Sequence, residues 1–213
     1  MDGLKIPPQE RPARRRRKEA RPGEIIDAGM LEFAEHGFAA TRLEDVAQRA
    51  GIAKGTIYRY FASKEALFEA AIRSRITPMF DQIEGLADAY PGSMTDLLKM
   101  VFPKIYRELI QSDLHVLIRI IITEGSRFPA ICELYHRESI AKGRSILTKI
   151  VERGVKRGEF RRGPATDLPI IIVAPAIMAA VWKMTFEPFD PIPVERFFAA
   201  HVDLVLNGIC MNP

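Results

Sequence analysis

An all-α protein is the fold class that this sequence predicts, and two observations carry the prediction. Apolar residues recur at spacings of three and four along most of the chain, the pattern of helices with one buried face. From residue 93 onward, no stretch alternates apolar and polar residues as a half-buried strand would. Glycines and prolines separate the helical patterns and mark the turns between them.

The composition is that of a soluble globular chain whose excess charge lies at one end. The 213 residues are 47% apolar and 27% charged, which allows one large or two small domains with a buried core. Residues 1–64 hold 13 Lys and Arg against 9 Asp and Glu, whereas the remaining residues hold 18 of each kind. This distribution predicts a polyanion-binding N-terminal segment, although a basic tail that only aids solubility would also produce it.

The N-terminal segment divides into an arm and a first helix. Residues 1–21 contain several prolines and the run RRRRK at 14–18, so they are predicted to be a disordered basic arm. Residues 22–36 are predicted to be helical, with Pro22 near the start, where its missing amide donor does no harm. Gly37 is expected to end this helix.

Residues 41–64 carry the pattern of two short helices joined by a sharp turn. Thr41 is predicted to cap the first helix, with Glu44 completing a capping box. Gly51 supplies the left-handed backbone that the turn requires. The second helix is predicted over 54–61, with Ile57 and Phe61 on its inner face. A small residue, a glycine and a branched apolar residue at this spacing indicate a helix-turn-helix.

The outer face of the second helix mixes basic, hydroxyl and aromatic side chains, which suit phosphates and base edges. It predicts a DNA-recognition element. Beside such an element, we expect the arm, including Arg15 and Arg16, to follow the DNA backbone or to lie in a minor groove. The residues on this outer face are Lys54, Thr56, Tyr58, Arg59 and Tyr60.

Residues 23–69, and above all the run LEDVAQRAGIAKGTIYRYFASKEALF, resemble the DNA-binding domain of TetR-family transcriptional regulators. The resemblance implies phosphate contacts from Thr41, Tyr58, Tyr60 and Lys64, and it places Lys54, Gly55, Thr56 and Arg59 nearest the bases. Arg42 is included in the expected DNA-binding set. Ala53 departs from the family pattern, in which a serine is common, so the phosphate contact of that serine is in doubt here. The remaining chain is implied to be helical, dimeric and ligand-binding.

Further helical patterns follow the motif. Ser63 is predicted to cap a helix that runs towards residue 83, which Pro78 should bend or break, and Asp113 and Asp167 are predicted to cap later helices. A helix is predicted around 97–109 with a kink at Pro103. Later helices are predicted over 114–124, 129–158, 168–184 and 194–206. We expect residues 22–69 to form the DNA-binding domain and residues 70–213 to form an effector-binding and dimerisation domain.

No enzymatic constellation stands out. The four histidines do not form a metal-binding pair, and no nucleophile elbow, P-loop or dinucleotide motif is present. Cys132 and Cys210 have neither metal-ligand spacing nor a disulfide pattern. We therefore expect a regulator without a catalytic, metal or cofactor site. A charged N-terminus and the lack of a long apolar run predict a cytoplasmic protein with no membrane span.

The last two helices are the expected homodimer surface, because a monomer would expose much of their apolar area. Core packing within one chain is the alternative. The proposed interface residues are Ile171, Ala174, Ile177, Val181, Phe198, Val202 and Val205.

An apolar ligand cavity enclosed by helices between residues 83 and 182 is implied by the family resemblance. Ordinary core packing remains the alternative for each wall residue, and a pair with Arg127 is the alternative role of Glu124. The candidate walls are Phe102, Tyr106, Leu117, Ile121, Glu124, Phe128, Met178 and Trp182.

Taken together, the sequence predicts a ligand-responsive regulator, most often a repressor, that binds a palindromic DNA operator as a homodimer and responds to a small, largely apolar effector. The rival interpretation is a DNA-binding structural protein without an effector, whose C-terminal part only dimerises. An apolar cavity would favour the first interpretation, and a solid core would favour the second.

Overall fold

The computed structural model describes the backbone of residues 12–211 and the side chains of residues 21–211. This part of the chain contains helices and no strand, apart from one isolated bridge between Phe160 and Cys210. The all-α prediction is confirmed. The chain divides into two compact units between Leu67 and Phe68. None of the described helices is both long and apolar enough to span a membrane.

The first unit contains helices α1 (Pro12–Ala40), α2 (Leu43–Arg49) and α3 (Lys54–Ile57), followed by the start of α4 (Lys64–Ala89). Gly37 interrupts α1 with a φ of 73°, so the predicted stop is present at that residue. The helical backbone starts at Pro12, however, and Pro22 lies inside it. This helical backbone differs from the disordered arm predicted over residues 1–21, and alanine, arginine, lysine and glutamate are good helix formers. Residues 1–11 and the side chains of Arg15 and Arg16 lie outside the described part.

The core of the first unit is built from the apolar faces of these helices. Phe33, Phe38, Val46 and Ile57 are all completely buried, and the rings of Phe33 and Phe38 stack with their centroids 5.9 Å apart. Gly29 allows a close approach, because a Cβ there would lie 2.8 Å from the Leu67 side chain. Helix α2 is thus held against α1, and α3 is held against α2.

Helix α4 begins in the first unit and continues into the second. The Ser63 hydroxyl accepts a hydrogen bond from the Ala66 amide at 3.2 Å, as the predicted cap requires. The helix continues through Pro78 to Ala89, so the predicted break does not occur. Proline removes only one backbone donor, and the buried side chains of Ile76 and Ile83 on either side fix this segment by packing.

The second unit continues with a series of helices that surround one apolar core. Phe102 is almost completely buried and packs in a cluster with Leu97, Leu98, Ile150 and Phe160. The helices after α4 are α5 (Met94–Gln111), α6 (Leu114–Glu124), α7 (Pro129–Tyr135), α8 (Lys142–Lys156), α9 (Pro164–Asp167), α10 (Ala174–Phe186) and α11 (Val194–Ile209).

Three predictions for this unit need correction. The helix expected over 129–158 contains a π-helical segment, His136–Ala141, between α7 and α8. The helix expected over 168–184 starts with a separate 3-10 turn, Pro169–Ile172, and α10 begins only at Ala174. Pro169 and Pro175 lack the amide donors that a continuous helix needs there. The Asp113 carboxylate does not cap α6, because it accepts a bond from Arg75 Nε at 3.0 Å.

Candidate nucleic-acid interface and ligand cavity

Helices α2 and α3 form a compact helix-turn-helix. Gly51 has a φ of 63°, and the Ile52 amide donates to the Ala47 carbonyl at 2.9 Å, so the chain reverses tightly between the two helices. Ile57 is fully buried and fixes α3 against the rest of the unit. As predicted, the opposite face presents Lys54, Gly55, Tyr58 and Arg59 to solvent, with Thr56 and Tyr60 half-buried.

Glu44 on α2 joins two of these exposed side chains. Its Oε1 accepts a hydrogen bond from Tyr58 Oη at 2.8 Å and an ion pair from Lys54 Nζ at 3.0 Å. The hydrogen bond from Lys54 is the main cause that lowers the pKa of Glu44 to about 2, and the carboxylate raises the pKa of Tyr58 in return. The face therefore carries a hydrogen-bond acceptor, the Glu44 carboxylate, beside its donors. The sequence predicted only a helix-capping role for Glu44.

Two side chains that are predicted to contact phosphates, those of Thr41 and Lys64, are hydrogen-bonded within the protein. The Thr41 side chain is 2% exposed, and its hydroxyl donates to the Gly37 carbonyl at 2.6 Å, so it neither caps α2 nor lies at the surface. Lys64 Nζ donates to the Phe38 and Ala39 carbonyls at 2.8 Å and 2.9 Å. Both groups satisfy carbonyls at the end of α1, where helices leave unpaired acceptors. Both side chains stabilise the unit in this way, and a phosphate contact from either one stays a prediction.

Arginines provide the other donors of this unit. Arg42 and Arg59 are exposed, and neither side chain makes an ion pair or hydrogen bond with any residue that the structure describes. Arg49 instead joins α2 to α1, because its Nε donates to Glu32 at 2.6 Å and its Nη1 donates to Glu35 at 2.9 Å. Glu32, Glu35 and His36 are close enough to share a cation. The Arg49 guanidinium already supplies the positive charge to both carboxylates.

The second unit contains an apolar cavity of about 140 Å³. It lies between α4, α5, the π-helical segment, α8 and the start of α10. Its polar lining groups are Tyr135, Ser139 and Arg144. The apolar walls are formed by Ile76, Met79, Phe80, Ile83, Val101, Ile105, Leu109, Leu114, Ile140, Ile146, Leu147, Ile150, Ile170, Val173 and Ile177.

The eight residues predicted to line a ligand site do not line this cavity. Phe102 and Leu117 are buried in the core, while Met178 is 47% exposed on α10. Tyr106 is bonded to His201 at 3.0 Å, and Trp182 donates to the Asp190 carbonyl at 2.7 Å. Ile121, Glu124 and Phe128 are half-buried, and they too lie away from the cavity walls. An apolar helix such as α6 offers several faces, and its sequence does not say which one adjoins open space. A ligand contact from these eight residues stays a prediction.

The true walls left a weak signal in the sequence. Ile146 and Ile150 recur at helical spacing on α8, as do Ile76 and Ile83 on α4. Helices α4 and α8 come close at Gly143, since a Cβ there would lie 3.0 Å from the Phe80 ring. Only knowledge of which helices pack together could have connected these residues.

The π-helical segment lies between the cavity and a cluster of charges. Ser139 and Ile140 line the cavity, while the Glu138 side chain is buried and faces three cations. Arg73 Nη2, Arg137 Nε and Lys142 Nζ lie 3.2 Å, 2.9 Å and 2.7 Å from its oxygens. These bonds lower the pKa of Glu138 to about 2, and the bond from Lys142 is the largest cause. The segment is therefore tied to α4 by charge as well as by packing.

An apolar stripe remains uncovered on α10 and the turn before it. Ile171 is 52% exposed and Ile177 is 37% exposed, as expected for interface residues, and Ala174 is exposed between them. Val181, Phe198 and Val202 are half-buried. Val205 is buried in the core of the unit, so its assignment to an interface is wrong; the neighbouring Leu204, at 67% exposure, faces outward instead. A shift of one residue on a helix turns a side chain by about 100°.

Comparisons with known proteins agree with a helix-turn-helix unit followed by a helical C-terminal unit. A family model described as bacterial regulatory proteins, tetR family, matches residues 25–71. A second model, for the C-terminal domain of AefR-like transcriptional repressors, matches residues 97–164. The HTH-type transcriptional repressor KstR2 of Mycobacterium tuberculosis is 25% identical over 193 residues, which cover 89% of this chain and 93% of the relative.

Solved structures share the fold across both units. The transcriptional regulator FadR from Bacillus subtilis, solved in complex with stearoyl-CoA, has a TM-score of 0.71 at 21% identity, covering 87% of this chain and 98% of that one. A SmeT–triclosan complex has a TM-score of 0.78 at 21% identity, covering 91% of this chain and 93% of that one. At this level of identity, the likeness establishes the architecture.

Proposed function

This chain belongs to the TetR family of transcriptional regulators, and from that membership we propose that it is a ligand-responsive repressor that binds a palindromic operator as a homodimer. The observation that carries the proposal is the α2–α3 helix-turn-helix, whose buried Ile57 holds Lys54, Tyr58 and Arg59 on one exposed face. Phosphate contacts fix such a helix on a duplex, and contacts to base edges select the sequence.

The proposed dimer is supported by the apolar stripe on α10 and the turn before it. Ile171, Ile177, Met178 and Phe186 are all more than a third exposed and recur at helical spacing, which a solitary domain in water does not favour. A two-fold contact between two such stripes would present two copies of α3 to one duplex. Half-sites then lie about one helical turn, roughly 34 Å, apart.

The effector is proposed to occupy the apolar cavity. Solved structures with this fold hold small-molecule ligands: FadR is complexed with stearoyl-CoA and SmeT with triclosan. A ligand that binds the cavity better in one arrangement of the dimer shifts the protein towards it and lowers operator affinity by its differential affinity for the two states. The cavity also favours this function over an effector-independent structural protein, which has no use for an apolar space among its helices.

Selection of fragments from random double-stranded DNA tests the DNA-binding part. We expect enrichment of one palindrome, protected over both half-sites. Arg59→Ala should change the selected bases, whereas Tyr58→Phe should weaken binding to all sequences about equally. Recovery of fragments with no shared sequence would contradict operator recognition.

Sedimentation of interface variants tests the dimer. Ile171→Asp should give monomers and lose operator binding, because it places a charge in the apolar stripe at a residue that does not line the cavity. Ile122→Asp is the matched control, since Ile122 is 61% exposed on α6 and lies outside the stripe. Equal behaviour of the two variants would place the dimer contact elsewhere.

A further inference from the structure

Arg144 differs from the other cations between residues 137 and 153. Arg137 and Lys142 contact Glu138, Lys149 contacts Asp88 at 2.6 Å, and Arg153 donates to the Ala87 and Tyr90 carbonyls. The Arg144 side chain is exposed and makes no ion pair or hydrogen bond with any described residue. It is also the one charged residue among the described residues that line the apolar cavity.

The other polar side chains of the cavity are two buried hydroxyl groups, those of Tyr135 and Ser139. Burial raises the pKa of Tyr135, so its hydroxyl stays neutral at physiological pH. The cavity thus offers an apolar interior, two neutral hydroxyl groups and one guanidinium that remains in contact with solvent.

The surrounding charge also favours an anion. In the cluster beside the π-helical segment, three cations (Arg73, Arg137 and Lys142) face two carboxylates (Glu69 and Glu138). One positive charge remains in excess next to the Gly143–Arg144 wall of the cavity. A net positive potential at the entrance of an apolar site raises the local concentration of anionic ligands.

We propose that the cavity takes an amphipathic anion, with an apolar chain between α4, α5 and α8 and a carboxylate or phosphate head bound by the Arg144 guanidinium. A guanidinium binds either head through two parallel hydrogen bonds, which an apolar wall cannot replace. This inference rests on the proposed function, since it names the chemistry of the effector for the same cavity.

Calorimetric titration of the full-length protein with three ligands of equal chain length tests the inference: decanoate, decyl phosphate and decan-1-ol, each below its aggregation concentration. We expect the two anions to bind at least about tenfold more tightly than the alcohol. Comparison of decanoate with decyl phosphate shows which head is preferred. Arg144→Gln should reduce the affinity for both anions to that for the alcohol and leave the alcohol unchanged, and Arg144→Lys should restore part of the preference.

Lys156→Gln is the matched control. Lys156 is an exposed cation of the same helix whose side chain also makes no ion pair or hydrogen bond with a described residue, but it does not line the cavity. Equal affinity of the wild-type protein for decanoate and decan-1-ol would overturn the inference, as would equal losses in Arg144→Gln and Lys156→Gln. If none of the three ligands binds, the inference falls together with the effector role of the cavity. If the anions bind through Arg144 but do not release operator DNA, the inference stands and the proposed function is wrong.

Discussion

The two units differ in how far their side chains follow from the sequence. In the first unit, Ile57 is buried and Lys54, Tyr58 and Arg59 are exposed, as the motif predicts. In the second unit, the predicted helix over 114–124 is correct to the residue as α6, yet Leu117 and Ile121 on it do not reach the cavity. A short motif with a glycine turn admits few arrangements, whereas a long apolar helix can pack by several faces.

The most severe test of this comparison is a pair of core truncations, one in each unit. Ile57→Ala removes a fully buried side chain beside the recognition face, and Leu97→Ala removes one from the core of the second unit. Each should lower the free energy of unfolding of its own unit by about 2–5 kcal/mol. Operator affinity should fall on the order of a hundredfold or more for Ile57→Ala. Hydrogen exchange, analysed by peptide, should show where protection is lost.

Loss of protection confined to residues 12–67 in the first variant and to 68–211 in the second would support two separately stable units. Uniform loss of protection across the chain in both variants would mean that the two units unfold together. The division into two units would then not correspond to separate stabilities.

A glycine pair tests how tightly the second unit is packed. Gly154 on α8 is buried, and a Cβ there would lie 2.2 Å from the Phe160 ring. Gly154→Ala should therefore lower the free energy of unfolding by about 1–3 kcal/mol, although alanine is the better helix former. Gly85→Ala is the control: Gly85 lies in α4 with nothing within 4 Å of the added Cβ, so thermal unfolding should be unchanged or shifted upward. A gain in both variants would contradict close packing at Phe160.

Residues whose role depends on a distant partner could not be predicted in either unit. Thr41 and Lys64 match the motif, but their hydrogen bonds run to carbonyls of α1, 4 and 25–26 residues away. Glu138 reads as a solvated acid on a charged helix, yet it is 4% exposed and meets Arg73 from α4. Helix periodicity reports one buried face at a time, and the π-helical segment changes that face halfway along the predicted helix. Fold class and helix positions were therefore predictable, and the cavity was not.

Stability against pH should reveal a buried histidine in the second unit. His201 is 3% exposed; its Nε2 donates to the Ile172 carbonyl at 2.8 Å, so its Nδ1 accepts from Tyr106 at 3.0 Å. Burial lowers the pKa of His201, which means that the unfolded chain binds the proton more readily than the folded one. The free energy of unfolding should thus fall as the pH drops below about 6.5, the unfolded value, by at most about 1.4 kcal/mol per pH unit.

Urea unfolding at several pH values measures this dependence. His201→Gln should flatten the slope, whereas His136→Gln, which alters an exposed histidine, should leave it as it is. An unchanged slope in His201→Gln would assign the acid sensitivity to other groups.

The smallest expected effect concerns the recognition face itself. Glu44 brings a negative charge to a surface that is proposed to meet phosphates, and it holds Lys54 and Tyr58 when no DNA is bound. Glu44→Gln should raise the affinity for any duplex by about two- to fivefold, the range of an exposed ion pair. Because the pKa of Glu44 is about 2, the gain should be the same across the neutral pH range. Asp45→Asn removes an equal charge from the same helix without touching Lys54 or Tyr58, so binding titrations of the two variants separate the effects. If Asp45→Asn gives the same gain, net charge alone governs the affinity, and the bridge at Glu44 does not restrain the recognition helix.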